Sequence, residues 1–89
     1  MLSLNLTRES VRFLATLDAK PFRQVVSKVF ALLTDPYPQD AAQLKGYPYR
    51  RVDSGEYRII YAVESSLLLV YLIGKRNDDD IYKRLGRRS

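Results

Sequence analysis

Arg50 and Arg51, Arg58, and Lys75 and Arg76 place cations in three short segments of the chain, and Tyr82 follows six residues after the last of them. A guanidinium carries five N–H donors in a planar fork that matches two phosphate oxygens, and it stays charged at neutral pH. A tyrosine offers an apolar ring and a hydroxyl that bonds a polar group. Together such groups can hold a phosphodiester and stabilise charge that builds up on it. The chain has no His and no Cys. That removes the commonest general acid–base, disulfides and thiolate metal sites, so any catalysis has to use Arg, Lys, Tyr, Asp or Glu.

Each of these residues also has an ordinary role open to it. Arg58 can be a solvated arginine on a sheet face, or the partner of Asp53 or Glu56. Lys75 and Arg76 can be a surface turn, and Tyr82 a packing tyrosine. Asp78, Asp79 and Asp80 sit where a helix N-terminus favours negative charge. No second carboxylate cluster accompanies them, so a Mg²⁺ site is rejected and neither metal nor other cofactor is expected. There is no GxxxxGK[ST], no GxGxxG and no Ser-His-Asp set.

Charge points toward a polyanion. Fifteen Lys and Arg against ten Asp and Glu give a formal +5. From Lys45 onward there are ten basic and six acidic residues, against five and four before it, so the excess leans toward the C-terminal half. Ten of the fifteen cations are Arg, the side chain suited to bidentate phosphate contact. Nucleic acid or an acidic protein is the partner such a chain implies.

The elements that must position these residues follow from periodicity. Eighty-nine residues make one domain, 1–89, with no room for a second large core. Nothing reads as a signal peptide or membrane span, which implies a cytoplasmic protein with no membrane partner. Leu2, Leu4 and Leu6 alternate with polar residues as in a half-buried strand. Thr7 is a good N-cap for a helix with Val11, Leu14 and Leu17, plus Phe13, as its apolar stripe. Asp18 and Pro21 open a second helix in which Phe22, Val25, Val26, Val29, Phe30 and Leu33 keep helical spacing. Asp35-Pro36-Tyr37-Pro38 ends it by Thr34, and residues 35–46 read as a loop. The period then becomes two, with strands over 49–53, 57–63 and 67–73 and turns at Ser54-Gly55 and at 64–66. Gly74 is read as an interruption, Asn77 or Asp78 as the cap of a short last helix through Leu85, Gly86 as its stop, and Arg87-Arg88-Ser89 as a basic tail.

The expected fold is α+β, in the order β-α-α-β-β-β-short α. Two N-terminal helices pack on one face of a small antiparallel or mixed sheet, the first strand lies beside the last, and the other face is left for a ligand. Parity along residues 57–63 puts Arg58, Ile60 and Ala62 on one face and Tyr57, Ile59, Tyr61 and Val63 on the other. Arg50 and Arg51 point to opposite faces, so only one of them shares a side with Arg58.

Leu44-Lys45-Gly46, then Gly55-Glu56-Tyr57-Arg58-Ile59-Ile60-Tyr61, then Gly74-Lys75-Arg76-Asn77-Asp78-Asp79 with Tyr82 close behind, resemble in order and spacing the RelE/ParE superfamily of toxins from type II toxin–antitoxin systems, its RelE-like branch above all. The resemblance spans nearly the whole chain. It implies a ribosome-dependent endoribonuclease that cuts mRNA by attack of the 2′-OH and so inhibits translation. It also implies a cognate antitoxin with an acidic, helical C-terminal segment, and contact with operator DNA only through the toxin–antitoxin complex. The roles it carries over are catalytic for Arg51, Arg58, Arg76 and Tyr82, and RNA-binding for Arg50, Lys75, Tyr49 and Lys83. RelE-like sites often have lysines where this chain has Arg50 and Arg51. An arginine does not act as a base at neutral pH, so that task would pass to Tyr82, to Tyr49 or to the ribosome's RNA. A ParE-like inhibitor of DNA gyrase and a non-catalytic antitoxin-binding relative are the alternatives.

Overall fold

A five-stranded sheet of order β1-β5-β4-β3-β2 organises the chain. The computed structural model describes residues 1–77 and 80–88. Its elements are β1 (Ser3–Leu6), α1 (Arg8–Ala15), α2 (Ala19–Thr34), β2 (Ala42–Gln43), β3 (Arg50–Ser54), β4 (Tyr57–Glu64), β5 (Leu67–Lys75) and α3 (Asp80–Arg88). β1 lies beside the last strand, as expected, and runs parallel to it, while the other pairings are antiparallel. The short β2, in a segment read as loop, pairs with β3 over only two residues, too few to leave a periodic trace. Asp78, one of the two expected caps, Asp79 of the expected acidic run and Ser89 of the expected tail lie outside the described residues.

The larger core lies between the sheet and the first two helices. Val52, Ile59, Tyr61, Leu68, Val70 and Ile73 from the sheet meet Leu14 of α1 and Val25, Val29 and Leu32 of α2. The two helices are turned relative to the stripes read from their sequence. In α1, Ser10 is fully buried and Val11 is half exposed. The cause is polar. Tyr61 pairs with Val70 and Ile60 with Leu72, so Tyr71 is an extra, bulged residue of β5. The Thr7 hydroxyl donates to the Tyr71 carbonyl at 2.7 Å and the Ser10 hydroxyl to the Val70 carbonyl at 3.1 Å, which turns the Ser10 side of α1 to the sheet. Thr7 also caps the helix by accepting from the Ser10 amide. In α2 the buried line is Val25, Val29 and Leu32, while Phe22 is 40% and Phe30 57% exposed. Tyr61, wholly buried, satisfies its hydroxyl by donating to the Pro36 carbonyl at 2.7 Å and so ties the 35–46 segment to the sheet.

The opposite sheet face is not left open. Ile60 and Leu72 are buried there against Ile81 and Leu85 of α3 and against Leu44. A nine-residue helix is too short to be stable alone in water, so burial of Ile81 and Leu85 has to hold it, at roughly 1.5–3 kcal/mol for each side chain. Gly86 lies inside α3 and does not stop it. Glycine within a helix costs only about 1 kcal/mol, and the neighbouring Leu85 is anchored. Gly74 likewise does not interrupt β5, which runs on to Lys75. A Cβ at Gly74 would lie 2.7 Å from Arg84 Nη2 and 3.2–3.3 Å from Ile81, so the missing side chain is what allows α3 to come this close. Arg84 secures the contact by donating to the Ile73 carbonyl at 2.9 Å and pairing with Glu9 of α1 at 3.6 Å. At Gly55 the positive φ of 59° suits the two-residue turn between β3 and β4.

Gly74→Ala is therefore expected to loosen α3, lowering stability by about 1–3 kcal/mol, as overpacking of a filled core does. Urea denaturation measures this. An unchanged midpoint would show that α3 is not seated as described.

Candidate active site

The β3–β4 register makes Asp53 and Arg58 direct cross-strand partners. Arg58 Nε donates to Asp53 Oδ1 at 2.8 Å and Nη2 donates to Oδ2 at 3.2 Å, a two-bond pair along one edge of the guanidinium. Nη1 donates to the hydroxyl of Tyr82 on α3, and the cation also lies 5.9 Å from the Tyr82 ring centroid. Arg58 and Asp53 side chains are 16% and 29% exposed, sheltered enough for the pair to exceed an ordinary surface ion pair. Three of the five donors of Arg58 are thus engaged inside the protein, and two remain for a ligand.

Arg76 joins from the end of β5. Its amide donates to the Glu56 carbonyl at 3.0 Å, which fixes where the chain leaves the sheet. Its Nη1 stands 4.0 Å from Asp53 Oδ2, with the side chain about half exposed. Arg51 pairs in register with Ile60 and so projects on the same face as Arg58. Its charge also reaches Asp53. Guanidinium groups from β3, β4 and the end of β5 therefore surround one carboxylate, with Tyr82 covering Arg58.

The other residues singled out from the sequence lie elsewhere or serve the scaffold. Arg50 is on the opposite face, 5.0 Å from the Tyr37 ring centroid and 3.4 Å from Gln43 Oε1. Lys75 pairs with Tyr57, whose ring meets Phe13 of α1, so the register puts Lys75 on the helical side. Tyr49 stacks on Tyr71 with ring centroids 4.4 Å apart and packs against the smaller core. Lys83 is solvent-exposed on α3, next to Tyr82. Asp53 is the central residue that the sequence showed only as one of two partners for Arg58. Counting outward from a two-residue turn at 55–56 would have identified it, because that turn forces 54 opposite 57 and 53 opposite 58.

Hydrogen bonding from Arg58 holds the Asp53 carboxyl below its ordinary value. Burial opposes this, and the charges of Arg58, Arg51 and Arg76 add to it. Asp53 is thus an anion at neutral pH and a weak base. The same pairing raises the affinity of Arg58 for its proton. The site can grip an anion at fixed points and offers one hydroxyl, that of Tyr82, which accepts from Arg58 and retains its own proton to donate.

No family model matches the sequence, and no curated protein is significantly similar to it. Solved structures are similar in fold. The isolated RelE toxin of E. coli superposes with a TM-score of 0.75 at 19% identity, over 99% of this chain and 98% of that one. RelE in the RelE–RelB complex of Pyrococcus horikoshii gives 0.75 at 22% identity, over 84% and 94%. A YoeB/ParE toxin from Agrobacterium tumefaciens gives 0.72 at 21% identity, over 84% and 99%. The chain has the RelE-like α+β fold, as its motifs led one to expect.

The lowered Asp53 value sets a pH dependence. A carboxylate favoured by folding contributes stability that is complete above the ordinary aspartate value of about 3.9 and is lost as pH falls through the lowered one. The stability difference between the native protein and Asp53→Asn should be constant above about pH 5 and shrink in more acidic solution. Urea denaturation at a series of pH values tests this, and a difference that grows with acidity would contradict the pairing.

Proposed function

We propose that the protein is the toxin of a type II toxin–antitoxin system and a metal-independent, ribosome-dependent endoribonuclease acting on mRNA. The observation that carries this reading is the convergence of Arg51, Arg58 and Arg76 around Asp53, with Tyr82 in contact, on a fold shared with RelE toxins. Had Arg58 and Arg76 lain on opposite sides of the molecule, the motif resemblance would have had no chemical content.

In this reading the 2′-oxygen attacks the adjacent phosphorus and the bond from phosphorus to the 5′-oxygen breaks. The products are a 2′,3′-cyclic phosphate and a 5′-hydroxyl end. The two remaining donors of Arg58, with Arg51, hold the non-bridging oxygens and the charge that grows on them. Arg76, the most exposed of the three whose exposure bears on the site, stands by the leaving oxygen and neutralises it. Tyr82 orients the 2′-hydroxyl or stacks on a base. Tyr49 is committed to its stack on Tyr71, which leaves Tyr82, or the ribosome's RNA, to relay the proton. Arg50, Lys75 and Lys83 contribute charge at a distance from the scissile phosphate.

The antitoxin reading has its own support. The neighbours in fold include RelE bound to RelB, and Val11, Phe22 and Phe30 leave apolar side chains of both N-terminal helices in solvent. A partner with apolar residues for the helices and acidic ones for the arginine face fits this surface. No described helix is long and apolar enough to cross a membrane, and the cytoplasm, where mRNA is translated, is the place such a toxin would act.

Arg76→Ala should lower toxicity on induced expression strongly, by on the order of 100-fold in cleavage rate, while leaving antitoxin binding largely intact. Primer extension on ribosome-bound mRNA should find cuts within codons for the native toxin. A fully toxic Arg76→Ala would overturn the site assignment, and filamentation with DNA damage in place of mRNA loss would favour a gyrase-directed, ParE-like action.

A further inference from the structure

Three guanidinium groups gathered at one side of the sheet repel each other, and an anion among them offsets that repulsion. Asp53 supplies the anion. Its two bonds to Arg58 lie along the Nε–Nη2 edge, so the guanidinium plane is fixed and cannot swing out of the site. The same carboxylate is within 4.0 Å of Arg76 and feels the charge of Arg51. Its bonds and the one to Tyr82 leave two N–H groups of Arg58 uncommitted, so it serves as an internal counter-ion without filling the place of the substrate phosphate.

We propose that Asp53 is a positioning residue of this site: it fixes Arg58 and offsets one of the three cationic charges, which favours the chemical step and weakens binding to polyanions. This rests on the ribonuclease reading above. The two effects run in opposite directions, and that separates positioning from a structural role. Asp53→Asn preserves shape and removes the charge. The bare arginine cluster then attracts RNA more strongly but holds Arg58 less precisely in line with the phosphate. A residue that merely supported folding would, on substitution, weaken binding and cleavage together.

The test uses the full chain freed of its antitoxin. Single-turnover cleavage of mRNA on programmed ribosomes should slow by on the order of 10- to 100-fold in Asp53→Asn, and Asp53→Glu should recover part of that loss. Anisotropy with a short single-stranded RNA, 2′-O-methylated to prevent cleavage, should show tighter binding and a steeper loss with salt in Asp53→Asn, as one added net charge requires. Native-rate cleavage by Asp53→Asn, or weaker RNA binding by it, would overturn the inference. A third readout needs neither catalysis nor a variant that folds. With ¹⁵N-labelled arginine, Arg58 Nε–H of the native protein should exchange with solvent far more slowly than that of Arg23. Equal exchange would mean that the carboxylate does not hold Arg58. Failure of the native toxin to cut mRNA, with slow exchange and tighter RNA binding by Asp53→Asn, would sink the ribonuclease reading and leave Asp53 as the organiser of a polyanion site.

Discussion

Ile60 and Leu72 point away from the two N-terminal helices and yet are wholly buried, and the docking of α3 over them is the contact on which the functional face depends. A sheet with apolar residues on both faces needs cover on both. Here the second cover is one short helix holding on through Ile81 and Leu85. Gly74 lets it approach and Arg84 ties it to β5 and to Glu9 of α1. Tyr82 is the neighbour of Ile81 in sequence, so seating Ile81 in the core brings Tyr82 to Arg58. The packing of a small hydrophobic core and the assembly of a polar site are here one event.

The polar side of that event is an imbalance of charge that is only partly corrected. An arginine on a sheltered sheet face is costly to leave unpaired, and both readings open to Arg58, internal ion pair and ligand contact, turn out to be compatible. Five donors are enough for Asp53, Tyr82 and a phosphate together. Among the described residues the correction is made by one carboxylate against three guanidiniums, which leaves a net positive charge for an anion to meet. For the proposed reaction this arrangement would suit a chain without histidine, with fixed charge and geometry carrying the chemistry.

Much of the architecture was legible because it rests on local signals. Thr7 and the alternating leucines before it, the helical spacing through Leu33 and the Pro-rich break after Thr34 appear where periodicity and turn chemistry put them, and both hairpins form, the first with its turn one residue later than expected, at 55–56 in place of Ser54-Gly55. The departures share a cause. Val11, Phe22 and Phe30 belong to real amphipathic helices, but which part of an apolar stripe is buried depends on what the helix meets. Around α1 that was decided by two sheet carbonyls seeking the hydroxyls of Thr7 and Ser10. Gly74 and Gly86 looked like punctuation because glycine usually is, whereas one permits close packing and the other is carried through a helix by its neighbour.

What sequence by itself determined was the chemical repertoire: arginines in three segments, one tyrosine behind them, no imidazole or thiol, and strand parity that puts Arg58 and Ile60 on a common side. Side-chain type and alternation are properties of the chain alone, so they can be read without coordinates. Only the tertiary structure decided that Asp53 stands opposite Arg58, that Arg51 and not Arg50 joins it, that Lys75 falls on the helical side, and that α3 closes over the second face. Those outcomes depend on register, on a bulge at Tyr71 and on helix docking, each fixed by contacts between residues far apart in the chain.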